Sequence, residues 1–189
     1  MRILIVDDES LIRMDLRDIL ESEHHEVVGE ASNGVEAITL CKELKPDAVL
    51  MDVKMPELDG IEAARQIGFN HLAPVVLLTS YSQQDLVTKA RESGVYGYLI
   101  KPVREEQLIP TLEMACGRFL DELESRQQMA DLEKTLEERK LIQKSIGILM
   151  DLYKITEDEA YNRIRQLSMK KRESIASICE LVIKQTSSN

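Results

Sequence analysis

The sequence predicts an α/β protein in which a five-stranded, doubly wound parallel sheet is joined by a long coiled-coil-like helix to a small three-helix bundle. Three observations carry that expectation. From Arg2 to Ile100, short apolar runs alternate with amphipathic helical stretches, the pattern of repeated strand-helix-strand units. Residues 111–145 contain no proline and one glycine, Gly117, and are rich in Glu, Leu, Arg, Gln and Lys. The remainder, to residue 189, breaks into short helical segments, too small a module to be very stable alone.

In chain order, Arg2 to Val6 is an apolar strand that ends in Asp7-Asp8-Glu9, and Ser10 is placed to cap a helix carrying Leu11, Ile12, Leu16, Ile19 and Leu20. Glu26 to Ala31 is the second strand, after which Asn33-Gly34 turns into a helix carrying Val35, Ala37, Ile38 and Leu44. Ala48-Val49-Leu50-Met51 is too short for a helix of its own and reads as a buried parallel strand that delivers Asp52 to its C-terminal end. Lys54-Met55-Pro56 breaks that strand, and Asp59-Gly60 turns before the helix that starts Ile61-Glu62-Ala63-Ala64. Ala73 to Ser80 is the fourth strand, Asp85 to Ser93 a helix stopped by Gly94, and Tyr96 to Ile100 the fifth strand.

The long helix follows Pro110. Leu112, Cys116, Phe119 and Leu123 recur at 4-3-4 spacing, and Met129, Leu132 and Leu136 continue at 3-4 in a shifted frame, a coiled-coil-like pattern with a register break that suits a dimer stalk. Leu141, Ile142, Ser145, Ile146, Leu149 and Met150 form one helical face; Thr156 with Glu159 makes a capping box for a second helix through Met169; a third begins near Glu173. The expected division is 1–117, 118–138 and 139–189.

Charge separates the parts more sharply than its total of −10. Residues 1–138 hold 14 Lys+Arg against 28 Asp+Glu, net −14, and residues 139–189 hold 10 against 6, net +4. The acidic body excludes general polyanion binding, and the basic terminal module keeps nucleic acid as a partner class. Cys41, Cys116 and Cys179 lie far apart without CxxC or Cys/His clustering and read as reduced core thiols. His24, His25 and His71 have no catalytic or ligand partners at recognisable spacing. No apolar run approaches the roughly 20 residues of a membrane span, and the opening Met1-Arg2-Ile3-Leu4-Ile5-Val6-Asp7-Asp8 is no secretion signal, so a soluble cytoplasmic protein is expected.

Ligands of an open α/β sheet bind at the C-terminal ends of its strands. Asp7-Asp8, Asp52, Thr79 and Lys101 each fall at or just beyond such an end, on the first, third, fourth and fifth strands. Three carboxylates gathered together repel unless a cation is present, and oxygen-only ligands select a hard ion such as Mg²⁺. A fixed lysine charge and a threonine hydroxyl complete a cradle for the oxygens of a phosphoryl group on Asp52.

In order and spacing these residues resemble the receiver domain of two-component response regulators, over about residues 1–117. The resemblance implies that Asp7 and Asp8 bind metal with Asp52, that Asp52 is the phosphoacceptor assisted by Thr79 and Lys101, and that Thr79 and Tyr98 are the switch residues. It also implies a cis Lys101-Pro102 bond, a sensor histidine kinase as phosphoryl donor, Mg²⁺ as cofactor, and no activity beyond the domain's own phosphoryl transfer and dephosphorylation. Ser80 stands where the family often has Ala.

Ser145-Ile146-Gly147-Ile148-Leu149-Met150, Ile155-Thr156-Glu157-Asp158-Glu159-Ala160-Tyr161 and Leu167-Ser168-Met169 before basic residues resemble the ANTAR domain. Members of that family bind paired RNA stem-loops in nascent leader transcripts and cause transcription antitermination. Where the family commonly has Ala-Lys before Gly, this chain has Ser145-Ile146, so the basic contact expected there is missing and Lys144 is the candidate to replace it. The RNA-binding candidates are Lys144, Tyr161, Arg163, Arg165, Lys170, Lys171 and Arg172, with dimerisation on phosphorylation as the coupling step. Two other classes are open to test. A DNA-binding response regulator needs a base-reading recognition helix, for which Ile175 to Ile183 is too apolar. An aspartate phosphatase usually carries a second acid two residues after its nucleophile, where this chain has Lys54.

Overall fold

The computed structural model describes residues 1–80 and 94–187; the expected helix Asp85 to Ser93 lies outside them. Five parallel strands, β1 (Arg2–Val6), β2 (Glu26–Ala31), β3 (Ala48–Asp52), β4 (Val75–Thr79) and β5 (Gly97–Ile100), pair in the order β2-β1-β3-β4-β5. β1, β3 and β4 alternate their side chains between two cores, whereas β5 buries only Leu99. Leu4, Val6, Val49, Met51, Val75 and Leu77 face α2 (Gly34–Leu44) and α3 (Gly60–Phe69), where Ala37, Cys41, Ala63, Ala64 and Ile67 are buried. Ile3, Ile5, Leu50, Val76, Leu78 and Leu99 face α1 (Ser10–Ser22) and the start of α4 (Glu105–Tyr153), where Leu16, Leu20, Leu108, Leu112 and Ala115 are buried. Apolar packing on both faces explains why β3 and β4 read as unbroken apolar runs.

Local chemistry sets the helix starts. Asn33 and Asp59 cap α2 and α3 by accepting from the N–H groups of Glu36 and Glu62 at 2.9 and 2.8 Å. Ser10 does not cap α1: it is already helical, the cap position is Glu9, and that residue's N–H donates at 2.9 Å to Asp7 Oδ1, so the preceding acid takes over the turn. Gly94 has φ +68°, in the left-handed region that glycine favours; the helix it was expected to stop lies outside the described residues.

The helices of the C-terminal part differ from expectation in one respect. α4 begins at Glu105 rather than after Pro110, runs unbroken to Tyr153, and its end is itself the first helix of the bundle. Pro110 sits in the second turn, where its missing N–H costs one backbone bond. α5 (Glu157–Lys171) follows from Thr156, whose hydroxyl and backbone N–H exchange bonds with Glu159 as a capping box. α6 (Ile175–Ser187) follows from Ser174, whose hydroxyl accepts from the Ser177 N–H at 3.1 Å. Ile146, Leu149, Ala160, Ile164, Ile178 and Cys179 form the bundle core, and the buried Ser145 hydroxyl donates to the Cys179 carbonyl at 3.0 Å.

The chain divides into two compact units, Met1–Leu123 and Glu124–Asn189. Among the described residues no helix is long and apolar enough to cross a membrane. The cysteines are free; Cys41 and Cys179 are buried, whereas Cys116 is only half-buried, and burial pushes the Cys41 thiol up to about 12.

Candidate functional site

The pocket is built at the C-terminal edge of the sheet, because β1, β3, β4 and β5 lie side by side and end together. Asp7 follows β1 and is fully buried; Asp52 ends β3 and is 6% exposed; Thr79 ends β4 and is 8% exposed. Lys101 follows β5, and its backbone N–H donates to the Thr79 carbonyl at 2.8 Å. Its ammonium reaches Asp7 Oδ2 at 2.6 Å and Asp52 Oδ1 at 2.5 Å. The Lys101-Pro102 bond is cis, as expected.

The loop after β3 closes on the same carboxylate. The Lys54 N–H donates to Asp52 Oδ2 at 2.7 Å, so the residue at the phosphatase acid position serves through its backbone. The Gly60 N–H donates to the Val53 carbonyl at 2.9 Å, and a Cβ there would lie 2.0 Å from the Asp52 carbonyl oxygen, so only glycine fits so close an approach.

Electrostatics follow burial. Desolvation raises the Asp52 carboxyl above its ordinary range and Asp7 adds to the rise, while Lys101 and the Lys54 amide oppose it. Burial would lower the Lys101 ammonium, but hydrogen bonds to Asp52 and Asp7 outweigh it and its pKa is raised. Asp8 is exposed beside this pair. Among the described residues no three His, Cys, Asp or Glu side chains are gathered closely enough to hold a metal ion, and Lys101 supplies the cation between the buried acids. The donor set nonetheless fits Mg²⁺: two buried carboxylates and an adjacent exposed one, all oxygen, suit an ion that takes one or two carboxylates and completes its shell with water and phosphate oxygens.

Tyr98 on β5 is 49% exposed and is therefore not a core aromatic. Sequence reasoning missed Arg13 on α1, whose guanidinium donates to the Asp7 carbonyl at 2.6 Å. Its only sequence signal is an arginine six residues beyond an acid, which is too common to single it out.

In the C-terminal unit the RNA candidates occupy different positions on the helices. Lys144 is exposed, but Ile146 is 7% exposed and packs in the bundle, so the position that lacks the family's lysine is a core position in this chain. Tyr161, Arg165 and Ser168 follow one line of α5 at i, i+4 and i+7. Arg163 lies about 200° round the helix from both Tyr161 and Arg165, with its guanidinium carbon 5.0 Å from the Tyr153 ring centre. Lys170 and Lys171 are about 100° apart on the helix and Arg172 lies beyond its end, so the three do not share a helical face. Arg172 is the left-handed residue that ends α5, and the two lysines suit the negative end of the helix dipole.

The model of the response regulator receiver domain matches residues 3–113, and that of the ANTAR domain matches residues 130–183. The transcriptional regulatory protein PdtaR of Mycobacterium tuberculosis is 43% identical over 182 residues, covering 96% of this chain and 89% of that protein. The response regulator domain of Thermotoga maritima CheB aligns with TM-score 0.58 at 32% identity, covering 62% of this chain and 96% of that one. A Borrelia burgdorferi CheX–CheY–BeF3–Mg complex contains a chain that aligns with TM-score 0.56 at 26% identity, covering 59% of this chain and 86% of that one.

Proposed function

This chain belongs to the response regulators that join a receiver domain to an ANTAR RNA-binding domain, an antitermination-type output, and from that premise we propose that Asp52 is phosphorylated and drives dimerisation and binding of paired RNA hairpins. The observation that carries the reading is the single ammonium of Lys101 held between two buried carboxylates, Asp7 and Asp52, at the strand ends.

In the reaction an Asp52 oxygen attacks the phosphorus of a phosphohistidine on a sensor kinase, an O–P bond forms, the N–P bond breaks, and the imidazole nitrogen keeps the electron pair. Burial makes the Asp52 carboxylate more basic, hence a better nucleophile. Lys101 moves from carboxylate to phosphoryl oxygen, and the buried Thr79 hydroxyl donates to another. Asp7, Asp8 and Asp52 would hold Mg²⁺, which would neutralise the charge that develops on the phosphoryl group. The presence of Mg²⁺ in the Borrelia burgdorferi CheX–CheY complex supports this cofactor.

Thr79 and Tyr98 then act as the switch and pass the change to α4, whose Met129, Leu132 and Leu136 are exposed and form the dimer seam. Residues 1–117 receive the phosphoryl group, 118–138 link, and 139–189 contact RNA, in the cytoplasm where leader transcripts emerge. The RNA contacts centre on Tyr161 and Arg165, with Lys144, Lys170, Lys171 and Arg172 contributing phosphate contacts and Arg163 held by Tyr153. Bound hairpins exclude a competing terminator stem.

Two measurements test the reading. Wild-type protein should take up phosphoryl label from acetyl phosphate only with Mg²⁺, and Asp52→Asn should take up none; full labelling of that variant removes Asp52 from the role. A gel shift should favour a two-hairpin RNA over a DNA duplex of equal length.

A further inference from the structure

Both backbone polar groups of Asp7 are held from the β2 side of the sheet. Its N–H donates to the Ala31 carbonyl at 3.1 Å. Its carbonyl accepts from Arg13 Nη1 at 2.6 Å, while the same guanidinium donates through Nε to Glu30 Oε2 at 2.9 Å. Glu30 is itself gripped by Arg17, whose Nε and Nη2 donate to Oε1 at 2.9 and 2.6 Å. A carboxylate on β2 thus aims one arginine of α1 at the peptide that joins Asp7 to Asp8.

That peptide is planar, so fixing its oxygen fixes the rotation of the whole plane and the direction in which Asp8 departs. Asp7 Oδ1 accepts from the Glu9 N–H and Oδ2 from Lys101, so the carboxylate itself leaves no slack once the backbone is set. Arg17 gives the comparison. It also binds Glu30 and makes a second ion pair with Glu21, and neither pair involves a pocket residue. Arg13 alone of the two arginines bridges the β2 acid to the Asp7 backbone.

We propose that Arg13, oriented by Glu30, is a positioning residue for the acidic pocket: it sets the Asp7–Asp8 peptide so that both carboxylates face Asp52 and accept Mg²⁺. The proposal rests on the phosphoacceptor reading above and adds a residue to it. If Arg13 merely ties α1 to β2, its loss lowers stability and leaves the pocket's chemistry intact.

The test uses the full chain and three variants, Arg13→Ala, Glu30→Gln and Arg17→Ala, each checked by far-UV circular dichroism. Mg²⁺ binding to unphosphorylated protein is measured by titration calorimetry, and hydrogen exchange of the Asp7 amide is followed by NMR without metal. Arg13→Ala should weaken Mg²⁺ binding by about 10–100-fold, the range for groups that orient metal ligands, and speed exchange at Asp7. Glu30→Gln, which keeps the volume and removes the charge that aims Arg13, should shift both in the same direction by less. Arg17→Ala should stay within about twofold of wild type, as expected for a surface pair. Unchanged Mg²⁺ affinity and Asp7 exchange in Arg13→Ala, or an equal loss in Arg17→Ala, overturns the proposal; if Arg13→Ala fails to fold, unchanged values in Glu30→Gln overturn it. Wild-type protein that neither binds Mg²⁺ nor takes up phosphoryl label overturns the phosphoacceptor reading, and the proposal with it.

Discussion

Lys101 holds two buried carboxylates with one ammonium, so removing it takes away the cation between Asp7 and Asp52 and leaves each its backbone N–H donor. Breaking a buried pair in this way costs about 3–5 kcal/mol, and Lys101→Ala should show that loss in urea unfolding at neutral pH without metal. Because the Asp52 pKa is raised, its ionisation opposes folding: its favourable contribution is present below the ordinary carboxylate range and is lost as pH rises through the raised folded value. The Lys101→Ala deficit should therefore shrink on acidification, and millimolar MgCl₂ should recover part of it. A deficit equal at pH 4 and pH 7 would mean that carboxylate repulsion is not its cause. The Lys101 pKa is likewise raised, so its own contribution is full below the ordinary lysine range and is lost as pH climbs through the raised value.

Residues of this kind are legible in the sequence to different degrees. Asp7, Asp52, Thr79 and Lys101 can be found because each ends an apolar run, and parallel strands that end together bring such residues to one edge. Arg13 is not legible, because its role depends on a side chain crossing from α1 to Glu30 on β2, a contact with no sequence period. Ile146 is legible as a member of the apolar helical face that the bundle buries, and that burial is why a basic contact is missing at its position.

At the scale of elements, Gly147 lies in the interior of α4, is exposed, and has nothing within 4 Å of where a Cβ would stand. Nothing in the described chain requires glycine there, so Gly147→Ala should raise the stability of the C-terminal unit by about 0.5–1 kcal/mol, read by thermal unfolding. A fall in stability would show that the site is crowded after all. On α5, Arg165 lies on the Tyr161 line while Arg163 is engaged by Tyr153. Each arginine that contacts phosphate steepens the salt dependence by about 0.7–0.9 in log affinity against log salt, so Arg165→Ala should flatten the slope by that amount and Arg163→Ala by less. Equal slopes for the two variants would remove the Tyr161 line from the interface. The missed start of α4 has an element-scale reason: Pro110 reads as a boundary, yet in the second turn of a helix it forfeits one hydrogen bond that burial of Leu108 and Leu112 outweighs.

For the whole molecule, the prediction concerns coupling. Phosphorylation adds about −1.5 to −2 charge to an edge already holding buried acids. If the change reaches α4, labelled protein should sediment at micromolar concentration with more dimer than unlabelled protein. A dimer presents two bundles, so it should bind a two-hairpin RNA far better than either hairpin alone, because the second contact forms at an effective concentration set by the RNA linker. Identical mass distributions with and without label would refute the coupling. The order of the elements is readable because alternation of strands and helices permits few topologies; the sharing of α4 between two cores is not, because an unbroken polar helix gives no punctuation to mark where one core stops drawing on it.

The shared helix bears on how the protein can be cut apart. Phe119 packs edge-on against Tyr96 with ring centres 5.4 Å apart, and the Tyr96 hydroxyl donates to Glu122 at 2.8 Å. A fragment ended at Gly117, where the receiver resemblance stops, loses both anchors of the stretch leading into β5, whereas one ended at Leu123 keeps them. Burial of a phenylalanine with an aromatic partner contributes about 2–4 kcal/mol, so the shorter fragment should melt well below the longer one. An isolated N-terminal half that looks feeble in the test tube would thus be reporting where the scissors fell.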